Sequence, residues 1–373
     1  MMTAMTTWSP QQEKAKGLVS KWIKTSKKKC KQVFYLAGYA GTGKTTLATS
    51  LAEDVKGDVL YGAFTGKAAL VMRSKGCKGA STIHSMIYSA EVDEKTGLVT
   101  YSLNKNSDVG SAGLVVIDEC SMVDEALGKD LLSFGTKVLV IGDPFQLPPV
   151  KGTGFFTSGE PDFLLTEVHR QARDNPIIRM SMDIREGRKL EHGTFGESRV
   201  IGKAELDPQD VLSANQVIVG RNATRTLYNS RIRNLRYDPP GLQPVLGEKL
   251  ICLKNKRPMG LLNGSMWEVH KAKPNGDNVA MDLLPIEDTN KTPTQVTVPY
   301  LFFDGRENEI DPLTRRYIEE FTYGHAITCH KAQGSQWDNV MVFDESYAFR
   351  DDAARWLYTA VTRAAKQLTL VAA

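Results

Sequence analysis

The chain has 373 residues, 41% of them apolar and 24% charged; this excludes a disordered or collagen-like polymer and leaves room for two domains, since single cores stop growing at about 250 to 300 residues. Forty-seven Lys and Arg against forty-three Asp and Glu leave a formal charge of +4, too small an excess to announce a nucleic-acid surface by itself. No run reaches the roughly 18 apolar residues of a membrane span, the leading MMTAMTTW has neither a basic stretch nor an apolar core, and the five scattered cysteines form no C-x-x-C pair; the expectation is a cytoplasmic protein with reduced thiols and no membrane partner.

From residue 32 to about 150, short apolar runs alternate with helical stretches: VFYLAG, TTLATSLAEDV, DVLYGAF, LVVID and VLVIGD. Runs this short and this rich in Val, Ile and Leu predict a parallel sheet covered on both faces by crossover helices, with ligands bound beyond the polar strand tips. Residues 88–102, YSAEVDEKTGLVTYS, interrupt the rhythm and predict a hairpin around Lys95-Thr96-Gly97. After residue 215, QVIVG, NVMVFD and LTLVA predict a second α/β domain. Between them, residues 241–320 carry EKLICL, MWEVHK and NVAMDLL, with a Pro274-Asn275-Gly276-Asp277 turn, and predict a small inserted β-barrel.

The segment GYAGTGKTT sets Gly38, Gly43, Lys44 and Thr45 in the spacing G-x-x-x-x-G-K-[ST], between a strand and a helix. Glycines in such a loop, Gly41 included, let backbone N–H groups close on phosphate oxygens; Lys44 reaches the β and γ phosphates and the Thr45 hydroxyl ligates Mg²⁺. Thr42 and Thr46 belong to the same ATP-binding stretch. In LVVIDECS, Asp118 and Glu119 leave a strand tip together. Asp118 is expected to hold the metal through water, and Glu119, turned away by strand alternation, to polarise the attacking water. Gln146, in the proline-stiffened VLVIGDPFQLPPV, is the candidate γ-phosphate sensor. Each of these alone also fits an ordinary turn or strand end.

In this order the motifs resemble the superfamily 1B DNA helicases, the RecD-like and phage Dda-like group. The likeness runs through SPQQEKA (9–15), AFTGKAA (63–69), STIHS (81–85), LTEVHRQ (165–171), ITCHKAQGSQW (327–337) and YTAVTRA (358–364). It implies two RecA-like P-loop NTPase domains that hydrolyse ATP between them, with a β-hairpin and an SH3-like β-barrel as insertions. The first domain would comprise 1–87 and 103–170, the hairpin 88–102, the second domain 171–240 and 321–373, and the barrel 241–320. It makes Gln12 the adenine contact, Arg170 and Arg363 the catalytic arginines, and Gln333 and Gly334 part of the nucleotide site. Phe64, Thr65, Lys67, Thr82 and His84 in the first domain, with Thr328 and His330 in the second, match its DNA-contacting positions. The implied activity is 5′ to 3′ translocation on single-stranded DNA and unwinding of tailed duplexes, with a single-stranded-DNA-binding protein or replisome component as a further partner.

The sequence departs from the pattern at Gln336, where many relatives carry a Glu directed at ribose, and at Phe64, where many carry Pro. Phe64 either stacks a base or fills the core, and His84 and His330 have the alternative of core histidines bonded to backbone. Lys21, Lys24, Lys27, Lys28, Lys29 and Lys31 read as a solvated helix end. Arg221, Arg225, Arg231, Arg233 and Arg236 lie on one helix and divide evenly between phosphate contact and surface. Tyr88, Leu98 and Tyr101 are the wedge candidates of a strand-separating hairpin. The same motifs also suit a DNA-stimulated ATPase that remodels a protein complex without unwinding, or one that acts on RNA.

Overall fold

The computed structural model describes residues 8–53, 55–92, 99–149, 152–168, 174–238, 241–256, 259–286 and 292–372. Contacts divide the chain into two units, Met1–Phe64 with Ala68–Arg188, and Thr65–Lys67 with Lys189–Ala373.

The first unit opens with α1 (Pro10–Lys24), started by a capping box in which Ser9 and Gln12 bond each other's backbone N–H. Strands β1 (Val33–Gly38), β2 (Val59–Ala63), β3 (Ser81–Thr82), β6 (Leu114–Asp118), β7 (Val138–Gly142) and β8 (Phe163–Leu165) form a parallel sheet in the order β3-β2-β6-β7-β1-β8. Alternate residues bury opposite faces: Tyr35, Ala37, Val115, Ile117, Val138 and Val140 on one, Phe34, Leu36, Leu114, Val116, Leu139 and Ile141 on the other. Both faces are covered by helices, among them α2 (Lys44–Ala52), α3 (Gly66–Ser74), α4 (Ile83–Ile87) and α5 (Glu125–Leu132). The C-terminus of α1 is closed by a buried cation: the Lys137 ammonium donates to the carbonyls of Trp22, Ile23 and Thr25 at 2.6, 2.8 and 2.5 Å.

The hairpin strands β4 (Tyr88–Val92) and β5 (Val99–Leu103) pair antiparallel from Tyr88↔Leu103 to Val92↔Val99. Their connecting turn, with Lys95-Thr96-Gly97 and Leu98, lies outside the described residues. Tyr88 is fastened at the base, its hydroxyl donating to Asp130 Oδ2 at 2.5 Å, whereas Tyr101 is 72% exposed. The unit closes with α6 (Pro176–Arg185).

The second unit holds two sheets. One comprises β9 (Gly193–Phe195), β10 (Ser198–Ile201), β11 (Gln216–Val219), β17 (Ala326–Thr328), β18 (Trp337–Phe343) and β19 (Ala364–Val371), in the order β17-β11-β18-β19-β10-β9 and parallel except for β9. Its helices include α7 (Pro208–Ser213), α8 (Asn222–Tyr237), α10 (Cys329–Ala332) and α11 (Ala353–Val361). The other is an antiparallel sheet of five strands, β12 (Lys249–Cys252), β13 (Met266–Asn275), β14 (Asn278–Pro285), β15 (Thr294–Pro299) and β16 (Phe321–Tyr323), ordered β15-β14-β13-β12-β16. It encloses a core of Leu250, Trp267, Val269, Phe302 on α9 (Leu301–Asp304), and Phe321.

The arginines of α8 do not behave as one patch. Arg233 is buried against Glu248, donates to the carbonyls of Gly241 and Gln243 at 3.1 and 2.9 Å, and stacks 3.9 Å from the Tyr323 ring. It ties the helix to the inserted sheet. Arg221 is held by Glu345, and Arg236 donates to the Leu212 carbonyl. Only Arg233 is buried; Arg221 and Arg236 lie at the surface, each bonded to an acceptor distant in sequence.

Candidate functional site

The loop between β1 and α2 is built by what its glycines permit. A Cβ on Gly38 would stand 2.7 Å from Thr42 Oγ1, and Gly41 and Gly43 take φ of 77° and 75°, a left-handed region closed to most residues. The loop is braced from within: the buried Thr42 hydroxyl and the Lys44 ammonium donate to the Tyr39 carbonyl at 2.8 and 2.9 Å. No side chain caps the N-terminus of α2, while Thr46 stands exposed one residue beyond Thr45. Amide donors and the positive end of a helix are thus left open to an anion.

At the tip of β6, Asp118 Oδ2 accepts the Thr45 hydroxyl at 3.0 Å, bringing two oxygen ligands from separate motifs together. Hard oxygens of this kind suit Mg²⁺, which takes one or two protein ligands beside phosphate and water. Glu119 is placed differently from the expectation. Strand alternation does not turn it, since β6 ends at Asp118 and Glu119 adopts φ 53°, ψ 44°, with its N–H donated to Asp118 Oδ1 at 2.8 Å. A left-handed non-glycine residue costs of order 1–3 kcal/mol and tends to sit at functional sites. Beyond the neighbouring strand β7, Gln146 is buried, and its Oε1 has no hydrogen-bond partner among the described residues.

Gln12 is also differently occupied. Its Oε1 accepts the Ser9 N–H at 3.0 Å and its Nε2 donates to the Thr42 carbonyl at 3.0 Å, so its amide braces the phosphate loop. The Ser-x-x-Gln spacing at 9–12 was the signal for this capping role. No motif pointed to Arg185, at the end of α6, whose guanidinium lies 3.7 Å over the Tyr39 ring beside the same loop. Arg170 lies outside the described residues.

In the first unit, Phe64 is half-buried against the core and meets exposed His84 edge-on, ring centroids 6.0 Å apart, with Tyr88 5.8 Å beyond. His84 is therefore not a core histidine. Thr82 is buried and caps α4, its hydroxyl accepting the Ser85 N–H at 3.2 Å. Thr65 and Lys67 group with the second unit; Thr65 is half-buried, and Lys67 is 6% exposed with its ammonium 4.6 Å from the Trp337 ring centre.

In the second unit, Thr328 precedes α10 without a side-chain cap bond, and His330 packs 5.9 Å from the Phe349 ring. Burial lowers the His330 pKa and favours the neutral ring. Gln333 is buried and Gly334 takes φ 72°. Arg363 is buried, donating to the carbonyls of Thr359 and Ser335 at 3.0 and 3.2 Å and to Thr362 Oγ1 at 3.2 Å. All three acceptors are neutral, and no carboxylate pairs with this guanidinium among the described residues. A buried cation so held retains its charge for an anion.

Similarity to known proteins agrees with this geometry. A family model for an AAA domain matches residues 20–200, and one for a UvrD-like helicase C-terminal domain matches residues 323–371. The ATP-dependent RecD2 DNA helicase of Deinococcus radiodurans is 28% identical over 361 residues, covering 88% of this chain and 45% of the relative. The ATP-dependent DNA helicase Pif1 of Campylobacter jejuni is 31% identical over 131 residues, covering 31% of this chain and 29% of the relative. The chain thus spans less than half the length of these curated relatives. Among solved structures, one of two coordinating Pif1 helicases at forked double-stranded DNA superposes with a TM-score of 0.59 at 19% identity, covering 98% of this chain and 92% of that one. Pif1 helicase from Candida albicans gives 0.56 at 18% identity, covering 98% and 94%. In the order of its motifs, its two matched family models and its fold, this chain is similar to the superfamily 1B helicases.

Proposed function

We propose that the chain is an ATP-dependent DNA helicase that translocates 5′ to 3′ on single-stranded DNA. The observation that carries this is the uncapped α2 N-terminus, framed by Lys44 and by the Thr45–Asp118 pair. The loop amides and Lys44 bind the β and γ phosphates, and Thr45 with Asp118 would hold Mg²⁺, which supplies charge neutralisation on the phosphate oxygens. Glu119, turned out of the strand line, orients and deprotonates water, and Gln146 senses the γ-phosphate by donating from its amide nitrogen, its unpartnered carbonyl being able to accept from the attacking water. Gln12 acts through the loop it braces. Arg170 and Arg363 stabilise charge on the departing phosphoryl group, Arg363 with Gln333 and Gly334 coming from the second unit.

On this reading the five-stranded antiparallel sheet is the SH3-like insertion and the β4–β5 hairpin the separating pin, while the first domain extends past the expected 170 to Arg188, taking in α6. Tyr101, exposed where Tyr88 is fastened, is the wedge. Phe64, Thr65, Thr82, His84, Thr328 and His330 line the strand, and Lys67 acts only if it emerges from its buried position. Among the described residues no helix is long and apolar enough to cross a membrane and the cysteines are free, which supports a cytoplasmic setting.

The test is ATPase stimulation by DNA and RNA homopolymers. DNA is expected to stimulate, and Glu119→Gln to bind ATP without turning it over. Wild-type turnover by Glu119→Gln would overturn the site, and stimulation by RNA alone would overturn the substrate.

A further inference from the structure

The β4–β5 hairpin pairs only with itself: among the described residues no third strand joins it. An isolated two-stranded hairpin is at best marginally stable in water, so its direction is set where it packs. That place is its root. There the Ile87 carbonyl accepts the Asn104 N–H at 2.8 Å, Ser107 donates its hydroxyl to the Met86 carbonyl at 2.6 Å, and Tyr88 and Leu103 lie half-buried against the core.

Tyr88 is the joint of this root. Its N–H donates to the His84 carbonyl and so ends α4, its ring lies 5.8 Å from the exposed His84 ring, and its hydroxyl reaches out of the hairpin to Asp130 Oδ2 at 2.5 Å, across 42 residues. Burial, and next the hydrogen bond to Asp130, push the tyrosine pKa up to about 12, so the phenol remains a donor at neutral pH. Asp130 belongs to α5, whose Leu127 and Leu131 are buried in the same core as Ile83 and Ile87 of α4. Asp124 caps α5, its Oδ1 accepting the Leu127 N–H at 2.9 Å, just beyond the turn that follows Asp118 and Glu119. One short, well-packed helix therefore leads from those two carboxylates to the root of the hairpin.

The hairpin is a lever about this root. From Tyr88 to Val92 the strand extends about 13 Å, so a tilt of about 10° displaces its far end by about 2 Å, over half the spacing of about 3.4 Å between stacked bases. A hydrogen bond to a carboxylate is of the strong, charge-assisted kind, and this one acts where any tilt begins.

We propose that Asp130 is a positioning residue: by holding the Tyr88 hydroxyl it fixes the angle of the β4–β5 hairpin and so couples ATP turnover to strand separation. This rests on the proposed function, in which that hairpin divides the duplex. Asp130 acts through Tyr88, so loosening it should leave the motor running and spoil its use.

The test measures ATP hydrolysed and duplex displaced in one reaction, with the full chain and a fluorescent 5′-tailed duplex. Asp130→Ala should keep hydrolysis within about twofold of wild type and displace about tenfold fewer duplexes per ATP, the ratio expected for one charge-assisted hydrogen bond. Tyr88→Phe should do the same, and the double variant should lose no more than either single one. Asp130→Asn, which keeps an acceptor, should recover most of the coupling. Hydrogen exchange gives a second readout that needs no DNA: the paired amides of β4 and β5 should exchange about tenfold faster in Asp130→Ala. Wild-type coupling in both Asp130→Ala and Tyr88→Phe would overturn the positioning role and leave the helicase reading intact. Hydrolysis lost in parallel with displacement would also overturn it, since the residue would then serve only stability. Should Asp130→Ala fail to fold, Tyr88→Phe decides alone. A wild type that displaces no duplex would overturn the helicase reading and this role with it.

Discussion

The two six-stranded sheets each contain a strand that runs through a glycine into a helix, and they treat the turn before that helix in opposite ways. In the first unit, β1 ends at Gly38 and the start of α2 carries no side-chain cap. In the second, β11 is followed by Gly220, where a Cβ would lie 2.8 Å from Glu345 Cβ, and the Glu345 carboxylate fills the junction. Its Oε2 accepts the N–H groups of Gly220 and Arg221 at 2.8 and 3.0 Å, and its Oε1 accepts Thr224 Oγ1 and Arg221 Nε at 2.6 and 2.8 Å. The same physics, a positive helix end with unpaired donors, is answered by a built-in anion in one unit and left for a ligand in the other. A strand–glycine–helix junction therefore marks a nucleotide site only when no carboxylate of the protein already occupies it.

Breaking the open junction has the largest expected effect. Lys44→Ala removes the one side-chain cation of the phosphate loop and should lower ATP turnover by about 10² to 10³, read by steady-state hydrolysis, with little change in melting temperature. Turnover within a few fold of wild type would mean that the open junction is not where ATP reacts.

The filled junction should answer in stability. Glu345→Ala leaves buried donors without acceptors and should cost about 2 kcal/mol by chemical denaturation. Glu345→Gln, which keeps shape and loses charge, should cost less. Burial works to raise the Glu345 pKa, but hydrogen bonds from Thr224, Arg221 and the Gly220 and Arg221 amides together hold it below the ordinary carboxylate value. A carboxyl depressed by folding stabilises above its unfolded pKa, about 4.3 for Glu. That contribution disappears as pH falls through the folded value. The wild type should thus lose stability in the acid range more steeply than Glu345→Gln; parallel acid limbs would show that the charge at this junction contributes nothing.

The smallest effect is expected at the lysines beyond α1. Lys27, Lys28 and Lys29 form an exposed turn, and replacing all three by Gln should leave the salt dependence of DNA binding within error, measured by anisotropy. A shallower slope would extend the DNA track onto the first helix.

The phosphate loop was legible in the sequence because its requirements are local: glycines for backbone shape, then Lys44 and Thr45 in fixed register. The parallel sheets were legible for a similar reason, as unbroken apolar runs buried on both faces. What escaped depended on distant partners. Arg233 meets Glu248 across 15 residues and Arg221 meets Glu345 across 124, so the helix looked like one basic patch when three of its arginines were already paired. Glu119 leaves the strand line by its left-handed backbone and not by alternation, because β6 stops at Asp118. Gln12 carried two compatible signals, a family position and a capping box, and the capping box is the one its Ser9 bonds display.

The central claim, an ATP-driven motor of fixed direction on single-stranded DNA, is tested most directly by strand displacement on matched duplexes bearing either a 5′ or a 3′ single-stranded tail, with ATP and Mg²⁺. The account predicts displacement of the 5′-tailed duplex and none of the 3′-tailed one. Displacement confined to the 3′ tail, or ATP hydrolysis stimulated by both duplexes with neither displaced, would contradict it.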